Sequence, residues 1–232
     1  MENRKLLLAC LWCGPVFALL FAIGFALLSG FIPPPSPHDS PQEIVDFYTD
    51  DLTAFRIGTC LMMLATPLLG PWGIALASQT RRTETGFPVL TAIQVFMTGV
   101  ILLTIAIIVL IWALASFRAG EASPDTVRDW NDFAFFLFLF DWSPFALWLV
   151  SFAVAIFLDK NDPPVFPRWA AYLNLWLASL GIPGGLIVFW KTGPFAYNGF
   201  FGFYFPVVAF FIWLVVMTWL TFNNLQSEAR TT

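Results

Sequence analysis

Long apolar runs separated by short polar stretches dominate the 232 residues of this chain. A helix needs about 20 apolar residues to cross the hydrocarbon core of a bilayer, and six runs reach that length. The runs cover residues 6–32, 53–78, 88–117, 133–158, 169–190 and 200–222. The pattern therefore predicts an all-α integral membrane protein with six transmembrane helices, which form a single membrane domain over residues 1–232.

Two further helix signals lie outside these runs. Ser40, Pro41 and Glu43 have the spacing of a capping box with proline at the first helical position, and apolar residues recur behind them at helical spacing. We predict an outer amphipathic helix over residues 41–52, whose acidic face suits a protein surface better than an anionic lipid surface. A second helix start at Ser123 predicts that the fourth span begins well before its apolar part.

The composition supports a lipid environment. Hydrophobic residues make up 59% of the chain and charged residues only 11%, whereas a soluble domain is about half apolar and a quarter charged. The net charge is −4 and the sequence has no basic patch, which argues against a nucleic-acid partner. The lipid bilayer is the expected partner, and another membrane protein subunit is the second candidate.

The basic residues predict the orientation, because loops on the cytoplasmic side of a membrane carry an excess of Lys and Arg. With a cytoplasmic N-terminus, seven of the 11 basic residues lie inside and four outside. The inside set is Arg4, Lys5, Arg81, Arg82, Lys160, Arg168 and Arg230, and the outside set is Arg56, Arg118, Arg128 and Lys191. We therefore expect an N-in/C-in topology, with both termini on the cytoplasmic side.

One carboxylate stands within an apolar run. Asp141 follows five apolar residues, 136–140, in the sequence FLFLFDWSPF. Counting about 20 residues at 1.5 Å each from the cytoplasmic end of the fourth span places Asp141 just inside the outer edge of the hydrocarbon. The same count leaves apolar residues of the third and fourth spans above that edge. These residues require cover from the protein itself or from a partner.

Two basic residues are candidate partners of Asp141 at this level: Arg56 in the second span and Lys191 at the end of the fifth. Asp132 is a second candidate partner for Arg56, but it is nine residues from Asp141 and therefore lies on the opposite side of an ideal helix. An arginine side chain extends far enough along its helix to pair at the boundary. Two interpretations follow. Asp141 forms a structural ion pair that locks the spans together, or it forms a ligand or proton site in an outward-facing cavity, because ionisable residues inside spans are often functional.

Two spans contain helix-breaking residues in corresponding positions of the two halves. The second span has Pro67, Gly70 and Pro71, and the fifth span has Pro183, Gly184 and Gly185. Paired interruptions of this kind are typical of transporters with an inverted repeat and a binding site at the midplane. Gly and Pro are also frequent in ordinary membrane helices, so a chance correspondence is the alternative.

Several kinds of site lack the residues they need. The chain has one histidine, His38 in a proline-rich loop, and its three cysteines do not complete a zinc ligand set. Haem and di-iron patterns, a serine-nucleophile motif, a P-loop and a dinucleotide fingerprint are also missing from the sequence. We expect no cofactor, no metal site and no catalytic residue, and an enzyme is the least favoured class of protein.

The second half of the chain carries three short motifs. They are PRW at 167–169, YLNLW at 172–176 and GPFAYNG at 193–199. Together they resemble a pattern in bacterial multi-span integral membrane proteins that have no assigned activity. The resemblance implies a multi-pass protein of the bacterial cytoplasmic (inner) membrane, and it carries over no catalytic residue.

Two functions fit these observations. The first is a non-enzymatic membrane subunit or scaffold that binds a partner through the protruding outer part of spans three and four. The second is a small transporter or binding protein for a lipophilic or weakly polar solute, with an outward-facing site near Asp141. A water-accessible cavity that reaches Asp141 from outside favours the second function, whereas an Asp141 sealed against a basic side chain favours the first.

Overall fold

This computed structural model describes residues 2–231, and within them the side chains of residues 3–227. All secondary structure in that part of the chain is helical, and six helical segments are long and apolar enough to cross a membrane. These spans are Asn3–Leu28, Leu52–Thr83, Val89–Arg118, Pro124–Leu158, Arg168–Phe189 and Phe200–Ser227. The prediction of an all-α protein with six such segments is confirmed. The side chain of Arg230, which was counted for the orientation, lies outside the described residues.

The spans are built from α-helices with short π-helical and 3-10 turns between them. The α-helices are α1 (Glu2–Ala22), α2 (Pro41–Thr49), α3 (Leu52–Ala65), α4 (Leu69–Thr80), α5 (Val89–Arg118), α6 (Pro124–Phe135), α7 (Trp142–Leu158), α8 (Arg168–Ser179), α9 (Ile182–Gly185) and α10 (Phe205–Thr231). The π-helical turns are Ile23–Leu28, Phe136–Phe140 and Phe200–Tyr204, and the 3-10 turns are Thr66–Leu68, Arg81–Thr83 and Ile187–Phe189.

The six spans form a ring in chain order. Each span packs on the spans before and after it in the sequence, and the sixth span closes the ring on the first. Short connections favour this arrangement because they keep consecutive helices antiparallel and adjacent. The loops with Arg81, Arg82 and Arg168 lie at one end of the ring, which we call the arginine end. The opposite end, where α2 lies, is called the α2 end.

Helix α2 begins as its sequence predicts. The backbone N–H of Glu43 donates to Ser40 Oγ at 3.3 Å, and the backbone N–H of Ser40 donates to Glu43 Oε2 at 2.6 Å, which completes the capping box. The helix packs on α6. Three side chains of α2 are buried: Ile44, Val45 and Tyr48. The helix ends at Thr49, earlier than residue 52, because Asp51 already caps α3 by accepting from the N–H of Ala54 at 3.0 Å.

Three tryptophans from the second, fourth and sixth spans meet at the centre of the ring. The ring centroids of Trp72 and Trp213 are 5.3 Å apart, those of Trp148 and Trp213 are 4.7 Å apart, and all three side chains are fully buried. Trp72 Nε1 donates to Thr218 Oγ1 at 2.9 Å, and Trp213 Nε1 donates to Asn174 Oδ1 at 2.8 Å. This tryptophan layer holds alternate spans together, since each edge-to-face pair contributes about 0.5–1.5 kcal/mol beyond its buried area.

A second aromatic layer closes the ring toward the α2 end. We call it the phenylalanine layer, and it consists of Phe25, Phe31, Trp112, Phe135, Phe138 and Phe203. The rings of Phe31 and Trp112 approach to 4.4 Å between centroids, and those of Phe25 and Phe138 to 5.6 Å. The first, third, fourth and sixth spans all supply side chains to this layer, and Phe31 comes from the segment that follows the first span. The space between the two layers contains the cavity described next.

Candidate functional site

A cavity of about 120 Å³ lies inside the ring between the two aromatic layers. On α5 its walls are formed between Ile101 and Ile108, one turn below Trp112 of the phenylalanine layer. On α10 they are formed between Pro206 and Phe211, just above Trp213 of the tryptophan layer. Five of the six spans contribute, and nearly all of the lining side chains are apolar.

The polar side-chain groups that line this cavity are the carboxylate of Asp141, the hydroxyl of Thr104 and the indole N–H of Trp142. Thr104 Oγ1 donates a hydrogen bond to Asp141 Oδ2 at 3.2 Å, and both side chains are half-buried. Asp141 lies about 25 Å along the helix axis from Leu158 at the arginine end, because the 17 residues of α7 rise by 1.5 Å each. The carboxylate therefore stands within the length of the spans and not in a loop.

The backbone of the fourth span is interrupted at Asp141. The turn Phe136–Phe140 is π-helical, Asp141 has φ −78° and ψ 45°, and α7 begins at the next residue. Pro144 explains the position of the break. A proline inside a helix has no N–H to donate and its ring clashes with the carbonyl group four residues earlier, which here belongs to Phe140. The chain opens at that carbonyl, and the opening turns the Asp141 side chain toward the cavity.

The fifth span is interrupted beside the same point. Helix α8 ends at Ser179, and only the short α9 at Ile182–Gly185 follows before the 3-10 turn. A Cβ atom on Gly184 would lie 2.5 Å from the carbonyl oxygen of Leu139, and one on Gly185 would collide with the indole nitrogen of Trp142. The glycines predicted as helix breaks thus let the break in span five pack directly on the break in span four.

The other predicted breaks have a smaller effect on the backbone. Pro67 lies in the 3-10 turn Thr66–Leu68, which separates α3 from α4. Gly70 and Pro71 lie in the first turn of α4, where a proline is tolerated because its missing N–H has no helical acceptor to lose. Pro183 has the same role at the start of α9. None of these four residues lines the cavity.

Arg56 does not pair with Asp141. Its guanidinium Nη2 donates to the carbonyl oxygen of Ser116 at 3.1 Å and to that of Phe117 at 3.5 Å. A basic side chain at this position satisfies the last carbonyl groups of α5 and interacts favourably with the helix dipole. The pairing with Asp141 fails for a geometric reason, since Asp141 lies level with Thr104, about 18 Å below Ser116 along α5.

Lys191 does not pair with Asp141 either. It is exposed in the loop that follows span five at the α2 end. Among the side chains that the structure describes, the salt bridges are Arg118–Glu121 and Arg128–Asp125, both within one helical turn and exposed. The partner of Asp141 is therefore the hydroxyl group of Thr104, and not the basic side chain that the sequence suggested.

Asp132 belongs to a different site, a hydrogen-bonded chain at the α2 end that we call the junction. The Tyr48 hydroxyl donates to Asn131 Oδ1 at 3.1 Å, and Asn131 Nδ2 donates to the Tyr197 hydroxyl at 3.2 Å. The Tyr197 hydroxyl in turn donates to Asp132 Oδ1 at 2.8 Å. The junction connects α2, α6 and the loop before span six.

Burial controls the ionisation of the two junction tyrosines. Tyr48 is fully buried, and burial raises its pKa well above the usual value, with a further contribution from the negative charge of Asp132. Burial also raises the pKa of the Tyr197 hydroxyl, followed by the charge of Asp132 and the hydrogen bond to it. Both hydroxyl groups therefore stay protonated and act as donors.

Sequence reasoning missed the junction, apart from Asp132. The signal that was available is local: Asn131 and Asp132 are adjacent polar residues at the start of an apolar run. Their partners Tyr48 and Tyr197 are distant in sequence, and only the ring arrangement brings them together.

The phenylalanine layer lies between the cavity and the α2 end, so the cavity is not a vestibule that opens at that end, although it is not fully enclosed. Its chemistry is that of an apolar chamber with one carboxylate, which accepts hydrogen bonds and favours positive charge. Within the described residues, no group of three or more His, Cys, Asp or Glu side chains is arranged to hold a metal ion. Compared with family models, curated proteins and solved structures, the chain finds no match.

Proposed function

We propose that this protein is a multi-pass membrane protein that binds a small lipophilic solute in the cavity between its tryptophan and phenylalanine layers. The observation that carries the proposal is the cavity itself, an apolar space inside the ring that reaches an intramembrane carboxylate. Concave, mostly apolar pockets with a few oriented polar groups are the usual form of small-molecule sites.

The volume limits the size of the solute. At about 120 Å³, the cavity is smaller than the roughly 300–1,000 Å³ of pockets for drug-sized ligands. It is close to the roughly 150 Å³ of an apolar cavity that admits benzene. A compact solute with roughly six to eight non-hydrogen atoms therefore fits best.

The surroundings of Asp141 support binding over a structural ion pair. A carboxylate inside a span is costly, and such residues are rare unless they pair or serve a function. Asp141 has no basic side chain against it among the described residues; its hydrogen bond comes from the neutral Thr104. A residue whose role was to lock helices together would have gained more from an arginine or lysine partner.

The proposal includes an orientation in the bacterial cytoplasmic membrane with both termini inside. Its support is the placement of Arg81, Arg82, Lys160 and Arg168 at a single end of the ring, in line with the excess of basic residues on the cytoplasmic side. The side-chain amide of Asn161 donates to the carbonyl oxygen of Arg82 at 3.1 Å, which joins the two loops at that end. In this orientation the cavity lies in the outer half of the bilayer.

A matched pair of cavity variants tests the proposal. Ile105 lines the cavity, whereas Leu103 on the same helix is exposed and does not. We expect toluene to bind saturably to the wild-type protein and to Leu103→Trp in lipid nanodiscs, and Ile105→Trp to abolish that binding by filling the cavity. Equilibrium dialysis against nanodiscs with and without protein measures the difference. Equal uptake by empty and protein-containing nanodiscs would rule the proposal out.

A scaffold that binds a partner membrane protein is the second candidate. Helix α5 has 30 residues and is about 45 Å long, so it exceeds the hydrocarbon thickness of about 30 Å. Leu110, Leu114 and Phe117 lie on one face near its α2 end and are exposed. The experiment is gentle purification of the wild type and of Phe117→Lys. A partner lost only from the variant would support the scaffold, and a lone monodisperse wild-type chain would contradict it.

A further inference from the structure

We propose that the ligand of the cavity is a small organic ammonium ion, whose cationic head binds Asp141 and whose apolar body fills the space between the aromatic layers. The inference rests on the proposed binding function and adds the chemical class of the solute. Three features of the site lead to it: the hydrogen-bonding capacity left on the carboxylate, the missing counter-charge, and the aromatic faces around the cavity.

The carboxylate has accepting capacity left. Thr104 occupies Asp141 Oδ2, and none of the described residues donates a hydrogen bond to Oδ1. A carboxylate oxygen accepts hydrogen bonds and donates none when ionised. The Thr104 hydroxyl has its proton directed to Asp141, so it also presents lone pairs to the cavity. The site therefore favours a head group that donates hydrogen bonds and excludes carboxylates and phosphates.

The negative charge of the Asp141 carboxylate favours a cationic ligand. No basic side chain among the described residues lines the cavity; Arg56 binds the end of α5, and Lys191 is exposed in the loop after span five. An ionised carboxylate that is half-buried among apolar side chains is unfavourable without a partner, and a positively charged head group compensates it at short distance. A neutral alcohol satisfies a hydrogen bond but leaves the charge uncompensated, so it binds more weakly.

The cavity walls provide faces that attract cations. Phe138, Phe145 and Phe210 line the space near Asp141, and the rings of Phe145 and Phe210 lie 5.6 Å apart between centroids. The negative face of an aromatic ring stabilises an ammonium group within about 6 Å, most strongly where water is excluded. The same rings pack against an apolar body. A primary ammonium ion on a benzyl-sized body meets all of these conditions.

Three compounds of similar shape separate the contributions. The wild-type protein in nanodiscs is dialysed against benzylamine, benzyl alcohol and toluene at neutral pH, where the amine is protonated. We expect benzylamine to bind at least about tenfold more tightly than benzyl alcohol, and toluene to bind no more tightly than the alcohol, because charge-assisted hydrogen bonds are the stronger ones.

Two substitutions assign the effect to one carboxylate. Asp141→Asn keeps the shape of the side chain and removes the charge, so it should weaken benzylamine binding at least about tenfold and leave toluene binding unchanged within about twofold. Asp129→Asn is the control, since Asp129 is an exposed carboxylate of the same span. It should leave the binding of all three compounds unchanged.

The outcomes distinguish the two proposals. If toluene and benzylamine bind wild type equally and Ile105→Trp abolishes both, the solute-binding function stands and the ammonium inference is overturned. If none of the compounds binds, both are overturned. Should Asp141→Asn fail to fold, the ranking of the three compounds on the wild-type protein decides the question by itself.

Discussion

Asp132 and Asp141 lie nine residues apart on the same span and have opposite surroundings. Asp132 ends the junction, in which hydroxyl and amide groups from α2, α6 and the loop before span six are hydrogen-bonded in series. Asp141 lies at a break in the helix, accepts one hydrogen bond from Thr104, and faces an apolar cavity. The donor to Asp132 belongs to a buried hydrogen-bonded chain that connects three segments, whereas Asp141 has an apolar cavity on its open side.

The difference separates a structural carboxylate from a binding carboxylate. Buried polar groups that are fully hydrogen-bonded hold specific segments together, and removing one partner leaves the others unsatisfied. A carboxylate that faces a cavity and accepts a single hydrogen bond from a neighbouring hydroxyl contributes less to the fold, because few other groups depend on it. Substitutions at the junction should therefore reduce stability, and substitutions at the cavity should reduce binding.

The largest loss of stability is expected from Asn131→Leu. The substitution keeps the branched shape of the buried side chain, with a somewhat larger volume, but leaves the hydroxyl groups of Tyr48 and Tyr197 without a shared partner. The expected loss in the free energy of unfolding is about 2–4 kcal/mol, because each unsatisfied buried group costs about 1–3 kcal/mol. Unfolding by sodium dodecyl sulfate in mixed micelles measures it, with Asp129→Asn as the control. A loss no larger than that of the control would remove the junction from the stabilising elements.

The junction should also make the protein sensitive to alkaline pH. The folded protein keeps Tyr48 and Tyr197 protonated, while the unfolded chain ionises them near the usual value of 10. The folded state then holds more protons, so stability is intact below pH 10 and falls as pH rises above it, by about 1.4 kcal/mol per pH unit for each tyrosine. Unfolding titrations from pH 8 to 11 test this. A flat profile above pH 10 would contradict the burial of these hydroxyl groups.

Tyr197→Phe should have a moderate effect that depends on pH. At pH 7 the loss of two hydrogen bonds is expected to reduce the free energy of unfolding by about 1–2 kcal/mol. At pH 11 the difference from wild type should shrink by about 1.4 kcal/mol, because phenylalanine cannot ionise. Tyr204→Phe is the matched control, since the Tyr204 hydroxyl makes no hydrogen bond to a described residue. Equal effects of the two variants would contradict the comparison.

The smallest effect on stability is expected from Asp141→Asn. The amide oxygen still accepts the hydrogen bond from Thr104, and no buried basic group loses a partner, so the free energy of unfolding should change by less than about 1 kcal/mol. Folded yield and the midpoint of unfolding in micelles measure the effect. A sharp fall in folded yield would show instead that Asp141 and its hydrogen bond with Thr104 are structural.

Local signals in the sequence were reliable guides to the structure. The capping residues Ser40 and Ser123 start helices where the sequence predicts, because a cap depends only on a few neighbouring residues. The break at Asp141 has a local cause as well, since Pro144 blocks the helix at the preceding turn. Its form, a π-helical turn that directs a carboxylate inward, depends on the break in span five that packs against it.

Relations between distant residues were not readable in the same way. The sequence placed Arg56 near Asp141 by counting along single helices, and that count ignores how far α5 extends beside α3. In the folded protein the end of α5 lies closer to Arg56 than Asp141 does, and the guanidinium group caps it. The pairing of Asn131 with Tyr48 and Tyr197 was equally inaccessible, because it depends on the order of the spans in the ring.

The all-α character of the chain and its six segments that are apolar and long enough to span a membrane follow from the amino-acid sequence alone. The reason is physical: a bilayer requires a minimum apolar length, and within it the backbone has to satisfy its own hydrogen bonds. The packing of the spans, in contrast, determines which carboxylate joins a hydrogen-bonded chain and which faces a cavity. Those properties depend on distances between side chains of different spans, and helix packing sets these distances.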